Sequence, residues 1–184
     1  MIVPKTYKIE TENYILRMPN EADIPLVFSA TRYKGFNDGM LWNPPQTQEE
    51  LLAPLKRNIK SWEASEAYTF TIVRKGENQL LGRISIRKTT EKETWDVGFW
   101  THPLAQNQGV MTEGLEGVLR FGFENLQAKR IEACHAIWNI GSEKVLQKNG
   151  FKFVKLIAKG FKKEGKWIAE NMLAISIEEW KNKQ

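Results

Sequence analysis

The stretch HPLAQNQGVMTEG, residues 102–114, marks the point at which the chain changes from strand to helix. Before it, TWDVGFWT is rich in aromatic and β-branched side chains, which predicts a strand over 94–101. Pro103 has no N–H to donate to a strand ladder, so the strand ends there. After Gly109, apolar residues recur at three- and four-residue steps to about Leu126, which predicts a long helix with a broad apolar face.

The turn into this helix has the chemistry of an anion site. The first N–H groups of a helix have no intrahelical acceptor and lie at the positive end of its dipole. Gly109 allows a positive φ or a close approach of the backbone, and Gln106, Asn107 and Gln108 add neutral donors. An ordinary strand-to-helix connection that contains a glycine explains the same residues. The stretch is neither a Walker loop, since Gly-Lys-Ser/Thr is absent, nor a dinucleotide fingerprint, which needs three spaced glycines.

The other elements predict an α+β fold in a single domain, residues 1–184, with the chain order β, α, α, β, β, β, α, β, α, β, β. The run from Thr94 to Trp138 is predicted to be one right-handed crossover between parallel strands. Strands are predicted over 14–18, 67–75, 80–88, 94–101, 130–138, 151–159 and 167–177, with a further short strand over 7–10 as an option. Helices are predicted over 21–33, from the N-cap Thr47 with Glu50 in a capping box to about 65, from the 102–114 stretch to about 126, and over 141–148.

Composition excludes several classes of protein. The single cysteine, Cys134, rules out an intrachain disulfide and a cage of cysteines around zinc, and no group of His, Cys and carboxylates has metal-ligand spacing. No apolar run approaches the roughly 20 residues that cross a bilayer, and the N-terminus lacks the layout of a signal peptide. We therefore expect a soluble, cytoplasmic protein, either monomer or homodimer. The net charge is +5, but basic and acidic residues are interleaved, which favours a solvated surface over nucleic-acid binding.

The pattern P-x-x-Q-x-x-G-x-M-T-E over 103–113 resembles the acetyl-CoA signature of the GCN5-related N-acetyltransferase (GNAT) superfamily. That signature is Arg or Gln, two residues, Gly, one residue, then Gly or Ala. Gln106 and Gly109 match it, whereas Met111 stands at the final small position. In the branch related to the ribosomal-protein N-terminal acetyltransferases this last position is less restricted, and G-x-M-T-E-A is a familiar form.

Three other segments resemble the same branch, in the same order along the chain. They are YILRMPNEAD over 14–23, LWNPPQTQEEL over 41–51 and WNIGSEKVLQKNGF over 138–151. The resemblance spans nearly the whole chain. It implies a three-layer GNAT domain, with a mixed, mostly antiparallel sheet of about seven strands flanked by about four helices. The last segment matches the N-x-x-S-x-x-V-L-x-K-x-G-F signature at Asn139, Ser142, Val145, Leu146, Lys148, Gly150 and Phe151.

The resemblance also implies acetyl-CoA as cosubstrate, with no metal. Pantetheine is expected in a gap beside the strand over 94–101, and the pyrophosphate is expected on main-chain N–H groups of the loop after it, with Glu113 pointing away. Asn139 is expected against the cofactor, unless it serves only to cap the following helix. The expected cofactor-binding residues are Phe99, Trp100, Thr101, Gln106, Asn107, Gln108, Gly109, Val110, Met111, Thr112, Asn139 and Ser142.

Acetyl transfer from a thioester needs a neutral amine, a donor for the oxyanion and help for the departing thiolate. Ser142 matches the serine that the branch uses beside the thiolate, although capping of the short helix is an alternative. Asp96 matches an acidic residue of the branch and is the candidate base, and an exposed strand charge is the alternative. Glu93 and Glu164 are lesser candidates for the base.

Three further residues with reactive side chains have ordinary interpretations. His102 is expected to have a surface role. His135 is expected to pack in the core or to make a satisfied hydrogen bond. Cys134 is expected to be a core residue and not a nucleophile, because direct transfer needs no acyl-enzyme.

The loop over 35–45 is the candidate acceptor site, with Phe36, Asp38 and Trp42 as its substrate-binding residues; covering the edge of the core is the alternative. An α-amino group, with a pKa near 8, loses its proton more readily than a lysine near 10.4. We expect an N-terminal α-amino group, most simply of a ribosomal protein, to attack directly in a ternary complex. A small amine such as a polyamine or aminoglycoside, or a non-catalytic CoA-binding domain, is the alternative.

Overall fold

A single mixed sheet of eight strands organises the chain in the computed structural model, which describes residues 2–183. The predicted α+β fold is confirmed, and the optional first strand is present. The strand order is β1-β2-β3-β4-β5-β6-β8-β7. The strands are β1 Lys8–Glu10, β2 Tyr14–Arg17, β3 Ala67–Arg74, β4 Leu80–Lys88, β5 Thr94–Thr101, β6 Arg130–Ala136, β7 Lys152–Lys163 and β8 Lys166–Ser176.

Only β5 and β6 pair in parallel; every other pair in the described sheet is antiparallel. This confirms the parallel strands predicted for the run from Thr94 to Trp138. Their register joins only Thr94–Asp96 to Arg130–Glu132, although β5 continues to Thr101 and β6 to Ala136. Beyond those pairs the two strands separate, and we call the space between them the β5–β6 gap.

In the described part of the chain, five α-helices accompany the sheet: α1 Ile24–Ala30, α2 Leu52–Glu63, α3 Val110–Arg120, α4 Ile140–Lys148 and α5 Ile177–Lys181. Asn20 caps a 3₁₀ turn before α1 through a capping box with Asp23, and α1 ends three residues earlier than predicted. A π-helical turn, Phe121–Asn125, follows α3 and completes the long predicted helix. None of the helices within residues 2–183 is both long and apolar enough to span a membrane.

The capping box predicted at Thr47 is wrong. The chain starts this helix with a 3₁₀ turn, Glu49–Leu51, whose N-cap is Gln48, and Glu50 accepts a hydrogen bond from the N–H of Gln46 at 3.1 Å. The helix begins one residue later than predicted, with a 3₁₀ turn. The carboxylate of Glu50 therefore accepts from the N–H of Gln46 instead of that of Thr47.

The last elements also differ from the prediction. β7 extends to Lys163, so the connection to β8 is a tight turn at Glu164 and Gly165, both with positive φ. The predicted final strand ends at Ser176 because Ser176 and Glu179 form a capping box that starts α5. The S-x-x-E pattern that signals this helix is present in the sequence, but the apolar run before it favoured strand.

The main core lies between the sheet and α3. Phe121 stands at its centre, with its ring centroid 5.2 Å from that of Tyr7, 5.4 Å from Tyr68 and 5.5 Å from Phe70. A second, smaller cluster packs α1 and the start of α2 against Leu80 and Trp100. The first cluster includes Val97 of β5 and the second contacts Trp100, which alternates to the opposite face of that strand.

We predict that Phe121→Ala lowers the free energy of unfolding by about 3–5 kcal/mol, because a buried aromatic ring leaves a cavity that the neighbouring rings cannot fill. Phe153→Ala is the matched control, since Phe153 is 62% exposed and Phe121 only 2%. Its effect should stay within about 0.5 kcal/mol. Urea unfolding followed by tryptophan fluorescence measures both; similar losses in the two variants would contradict this core.

Candidate active site

The β5–β6 gap opens into a cavity of about 1100 Å³. One end is lined by the loop before α3 and the other by residues of the α1–α2 connection, with the start of α4 between them. Because β5 bonds to β4 and β6 bonds to β8, the backbone edges that face the gap beyond Asp96 and Glu132 are not used in the sheet. An extended ligand could therefore hydrogen-bond to β5 as a strand would.

The loop before α3 presents a row of unused N–H groups. Within residues 2–183, the N–H groups of residues 107–112 have no hydrogen-bond acceptor. Gly109 is the N-cap of α3 with φ 79°, and Asn107 also has a positive φ of 60°. Alternation of left- and right-handed backbone turns successive N–H groups toward one side, which makes a concave anion site at the helix dipole.

Met111 does not obstruct this anion site. Its side chain is 4% exposed and belongs to the main core. Its Cε lies 3.2 Å from the position that a β-carbon on Gly82 would occupy. Gly82 of β4 therefore leaves room for the larger side chain of Met111. The N–H of Met111 remains at the helix start.

Neighbouring side chains hold the loop in place. Gln108 donates to the carbonyl of Leu104 at 3.0 Å, and the Tyr14 hydroxyl lies 3.5 Å from the carbonyl of Gln108. Glu113 accepts from the N–H of Asn13 at 2.7 Å, so it points away from the anion site as expected. Of the expected cofactor residues, all but Gln108 line the cavity.

At the start of α4, Asn139 and Ser142 face the cavity together. Asn139 is the N-cap, and its Oδ1 accepts from the N–H of Ser142 at 3.1 Å. The capping role is therefore real and leaves the amide Nδ2 of Asn139 for other contacts. The hydroxyl of Ser142 makes no hydrogen bond to another residue of the described chain.

Asp96 lines the cavity but is held by an arginine. Arg87 donates to its carboxylate at 2.8 Å and 2.6 Å, a two-point ion pair that is partly exposed on both sides. Hydrogen bonding to Asp96 is the main reason that the pKa of Arg87 is raised. Glu93 pairs with Lys129 at 3.1 Å, Glu164 lies in the β7–β8 turn, and neither lines the cavity.

Sequence reasoning missed Glu170, a half-buried carboxylate on β8 that also lines the cavity. Burial raises its pKa, and His135 opposes that shift. Cys134, between the carboxylates, has its pKa raised to about 11, first by burial and then by Glu170 and Asp96. The thiol is therefore protonated at neutral pH, although it is exposed and not a core residue. The signal for Glu170 was a lone acid within the apolar run WIAENMLAISI.

The α1–α2 connection brings aromatic rings to the cavity. The ring of Phe36 lies 5.4 Å from Trp100 and 6.3 Å from Trp42, in edge-to-face contact with both. Lys163 fixes this loop by donating to the carbonyls of Met40 and Trp42, each at 3.0 Å. Asp38 is exposed and does not line the cavity.

The two histidines have structural contacts. His102 is 4% exposed, so the expected surface role is wrong; a ring nitrogen accepts from the N–H of Leu104 at 3.2 Å, and the other lies 2.9 Å from the Ser29 hydroxyl. This caps the 3₁₀ turn that carries the strand into the loop. His135 is buried as expected; its Nδ1 lies 2.9 Å from the carbonyl of Ala136, and its Nε2 has no partner within residues 2–183.

Comparison with known proteins gives consistent findings. Residues 13–152 match the family model described as "Acetyltransferase (GNAT) domain". The N-acetyltransferase YnaD of Bacillus subtilis, itself uncharacterised, is 29% identical over 134 residues, which are 73% of this chain and 76% of that protein. The fold matches the GNAT-family acetyltransferase from Bacillus anthracis with TM-score 0.83, 23% identity and 94% and 99% of the two chains covered. It matches the ribosomal-protein α-N-acetyltransferase RimL, in complex with coenzyme A, with TM-score 0.84, 20% identity and the same coverage.

We predict that His102 makes stability depend on pH. Burial lowers its pKa from the ordinary value of 6.5, so below pH 6.5 the unfolded chain takes up a proton more readily than the folded one. The stabilisation is complete above pH 6.5 and is lost as the pH falls from there through the lower pKa of the folded state. In His102→Asn the amide can accept from Leu104 without titrating, so the stability gap between wild type and variant should narrow from pH 8 to pH 5.5. Urea unfolding across this range measures the gap, and a constant gap would contradict the prediction.

Proposed function

The chain belongs to the GNAT family of N-acetyltransferases, and on that premise we propose that it moves the acetyl group of acetyl-CoA directly to the α-amino group of a protein N-terminus. The observation that carries the proposal is the continuity of one cavity. It runs from the unused N–H groups of residues 107–112, past the β5–β6 gap, to the aromatic loop on the other side.

The described residues suit three parts of CoA, namely its pyrophosphate, its pantetheine and its sulfur. The N–H groups at the start of α3 suit the pyrophosphate, because they offer donors and the helix dipole without a competing acid. The free edge of β5 over Phe99, Trp100 and Thr101 suits the amides of pantetheine. Asn139 and Ser142 stand at the start of α4, where we assign Ser142 to donate a hydrogen bond to the sulfur as the thiolate leaves.

A protein N-terminus suits the other side of the cavity. Exposed apolar side chains surround its mouth, including Leu41 at 75%, Trp138 at 49% and Trp42 at 36% exposure. Such a surface favours contacts with the apolar side chains of a peptide over contacts with a polyamine. The basic side chains that line the cavity outnumber the acidic ones, which disfavours a polycation: Arg57, Arg83, Arg87, Lys144 and Lys148 against Glu50, Asp96 and Glu170. The likeness to RimL supports the same acceptor.

We predict that Gly109→Ala raises the Kd for CoA about tenfold, because a β-carbon at φ 79° strains the N-cap and turns its N–H groups. Gly76→Ala is the matched control. Gly76 also has φ +80° with open space around it, but it lies in the β3–β4 turn. Both variants should lose similar stability, and only Gly109→Ala should lose affinity in isothermal titration calorimetry. Equal affinities in the two variants would count against the anion site.

The acceptor is tested by turnover. With acetyl-CoA and a panel of N-terminal peptides, polyamines and aminoglycosides, we expect release of CoA with peptides and acetylation at the α-amino group, located by mass spectrometry. Ser142→Ala should lower kcat about tenfold or more while the Kd for CoA is unchanged. Turnover with free polyamines alone would move the acceptor to that class. An acetyl group retained on the protein before acceptor is added would exclude direct transfer.

A further inference from the structure

We infer that Glu170, and not Asp96, is the carboxylate that receives the ammonium group of the acceptor and removes its proton. This rests on the proposed function and names the base within it. Glu170 stands on β8, across β6 from the β5–β6 gap, and it lines the cavity.

The strand register places Glu170 on the side where the acceptor is proposed to bind. Residues directly opposite in a sheet share a face. Asp96 is opposite Glu132, Cys134 is opposite Met172, and Glu170 is opposite Ala136. Strand alternation therefore puts these carboxylates on one face, which we call the carboxylate face. Trp100 lies on it too, since it follows Asp96 by four residues along β5, and its ring meets Phe36 of the aromatic loop.

A bulge in β7 leaves space for the side chain of Glu170. The register of β7 with β8 shifts between Ile157, opposite Glu170, and Phe161, opposite Ile168. Gly160 lies in the shifted segment, and a β-carbon there would be only 2.3 Å from Oε2 of Glu170. The carboxylate thus rests against the bare backbone of Gly160, and a side chain at that position would have to displace it.

Glu170 is the carboxylate left without a cation. Asp96 is bound at two points by Arg87, and Glu132 is bound by Arg130 at 2.7 Å. Within residues 2–183, Glu170 has no ion-pair partner and no hydrogen-bond donor. Both carboxylate oxygens of Asp96 are occupied by Arg87, whereas a carboxylate without a donor can bind an ammonium group and take its proton.

The environment of Glu170 favours its action as a base. Burial raises its pKa, which brings it closer to that of an amine and makes it a stronger base than an exposed glutamate. Charged and titratable groups on the carboxylate face come from four strands and include Arg87 of β4, Asp96 of β5, Glu132 and Cys134 of β6, and Lys155 of β7. His135 of β6, which alternates to the other face, opposes the rise in the pKa of Glu170. Two of these acids, Asp96 and Glu132, are paired with arginines. Glu170 is therefore the carboxylate on this face whose charge is available to an acceptor.

In the proposed acetyl transfer, each proton and each electron pair has a defined destination. Glu170 takes a proton from the ammonium group and leaves a neutral amine. The nitrogen lone pair forms the new C–N bond to the acetyl carbon, the C–S bond breaks, and its electron pair leaves on sulfur. A second proton from that nitrogen passes to the thiolate, and Glu170 returns its own proton to water.

Glu170→Gln tests the assignment, with Glu132→Gln as the matched control because it removes a paired carboxylate from the same face. We expect kcat to fall about 100-fold or more in Glu170→Gln, with the Kd for CoA unchanged, and kcat to stay within about twofold in Glu132→Gln. The acid limb of kcat/KM in wild type should lie above the ordinary glutamate value and should be absent in Glu170→Gln. A kcat within about threefold of wild type with the same acid limb would overturn the assignment, as would loss of that limb in Asp96→Asn instead.

Two readouts separate this assignment from the proposed function. Cys134 is the one cysteine of the chain, so its alkylation by iodoacetamide reports its thiolate. Loss of the Glu170 charge should raise the alkylation rate at pH 8–9, whether or not any amine is acetylated, and an unchanged rate would contradict the placement of the carboxylate.

If Glu170→Gln does not fold, Glu170→Asp should fold, keep CoA binding and lower kcat; a wild-type kcat in that variant would overturn the assignment. Absence of turnover by wild type with every amine would reject the proposed function itself.

Discussion

The short parallel pairing between β5 and β6 is the constraint on which the rest of the structure depends. Three residues of each strand are joined, and then the strands separate while each stays bonded to its other neighbour. A backbone edge without a partner is costly to bury, so such an opening in the middle of a sheet is maintained only where a ligand or water completes it. The same opening links the helix-start loop to the aromatic loop through one cavity.

The two faces of the sheet divide the chemistry between them. On one face, α3 and the main core hold the loop whose N–H groups form a positive site without any charged side chain. On the other, Asp96 and Glu132 pair with Arg87 and Arg130, whereas Glu170 has no ion-pair partner within residues 2–183. In the proposed function, the sheet separates the carboxylate of Glu170 from the pyrophosphate of CoA at the start of α3, which limits the repulsion between them.

Several side chains have both a structural and a proposed chemical role. Asn139 caps α4 with its oxygen and still has its amide nitrogen available, and Met111 fills the core while its N–H stays at the helix start. His102 is entirely structural, since both of its ring nitrogens have contacts that hold the turn between β5 and the loop. For residues of this kind the alternatives weighed from sequence were not exclusive, because backbone and side chain of one residue can serve different partners.

The amino-acid sequence by itself determined the order of the strands and helices, the parallel pair and the loop before α3, because those depend on local periodicity, on proline and glycine, and on a motif within a few residues. Its errors lie where two local signals compete, as at Thr47, whose predicted capping partner bonds to Gln46, and at Ser176, where a capping box ends an apolar run. Only the tertiary structure decided which carboxylate is free. Asp96, Glu132 and Glu170 are all acids within predicted strands, and what distinguishes them is an arginine beside the first two and the bulge at Gly160 beside the third. Arg130 is near Glu132 in sequence, but only strand pairing brings Arg87 to Asp96 and Gly160 to Glu170.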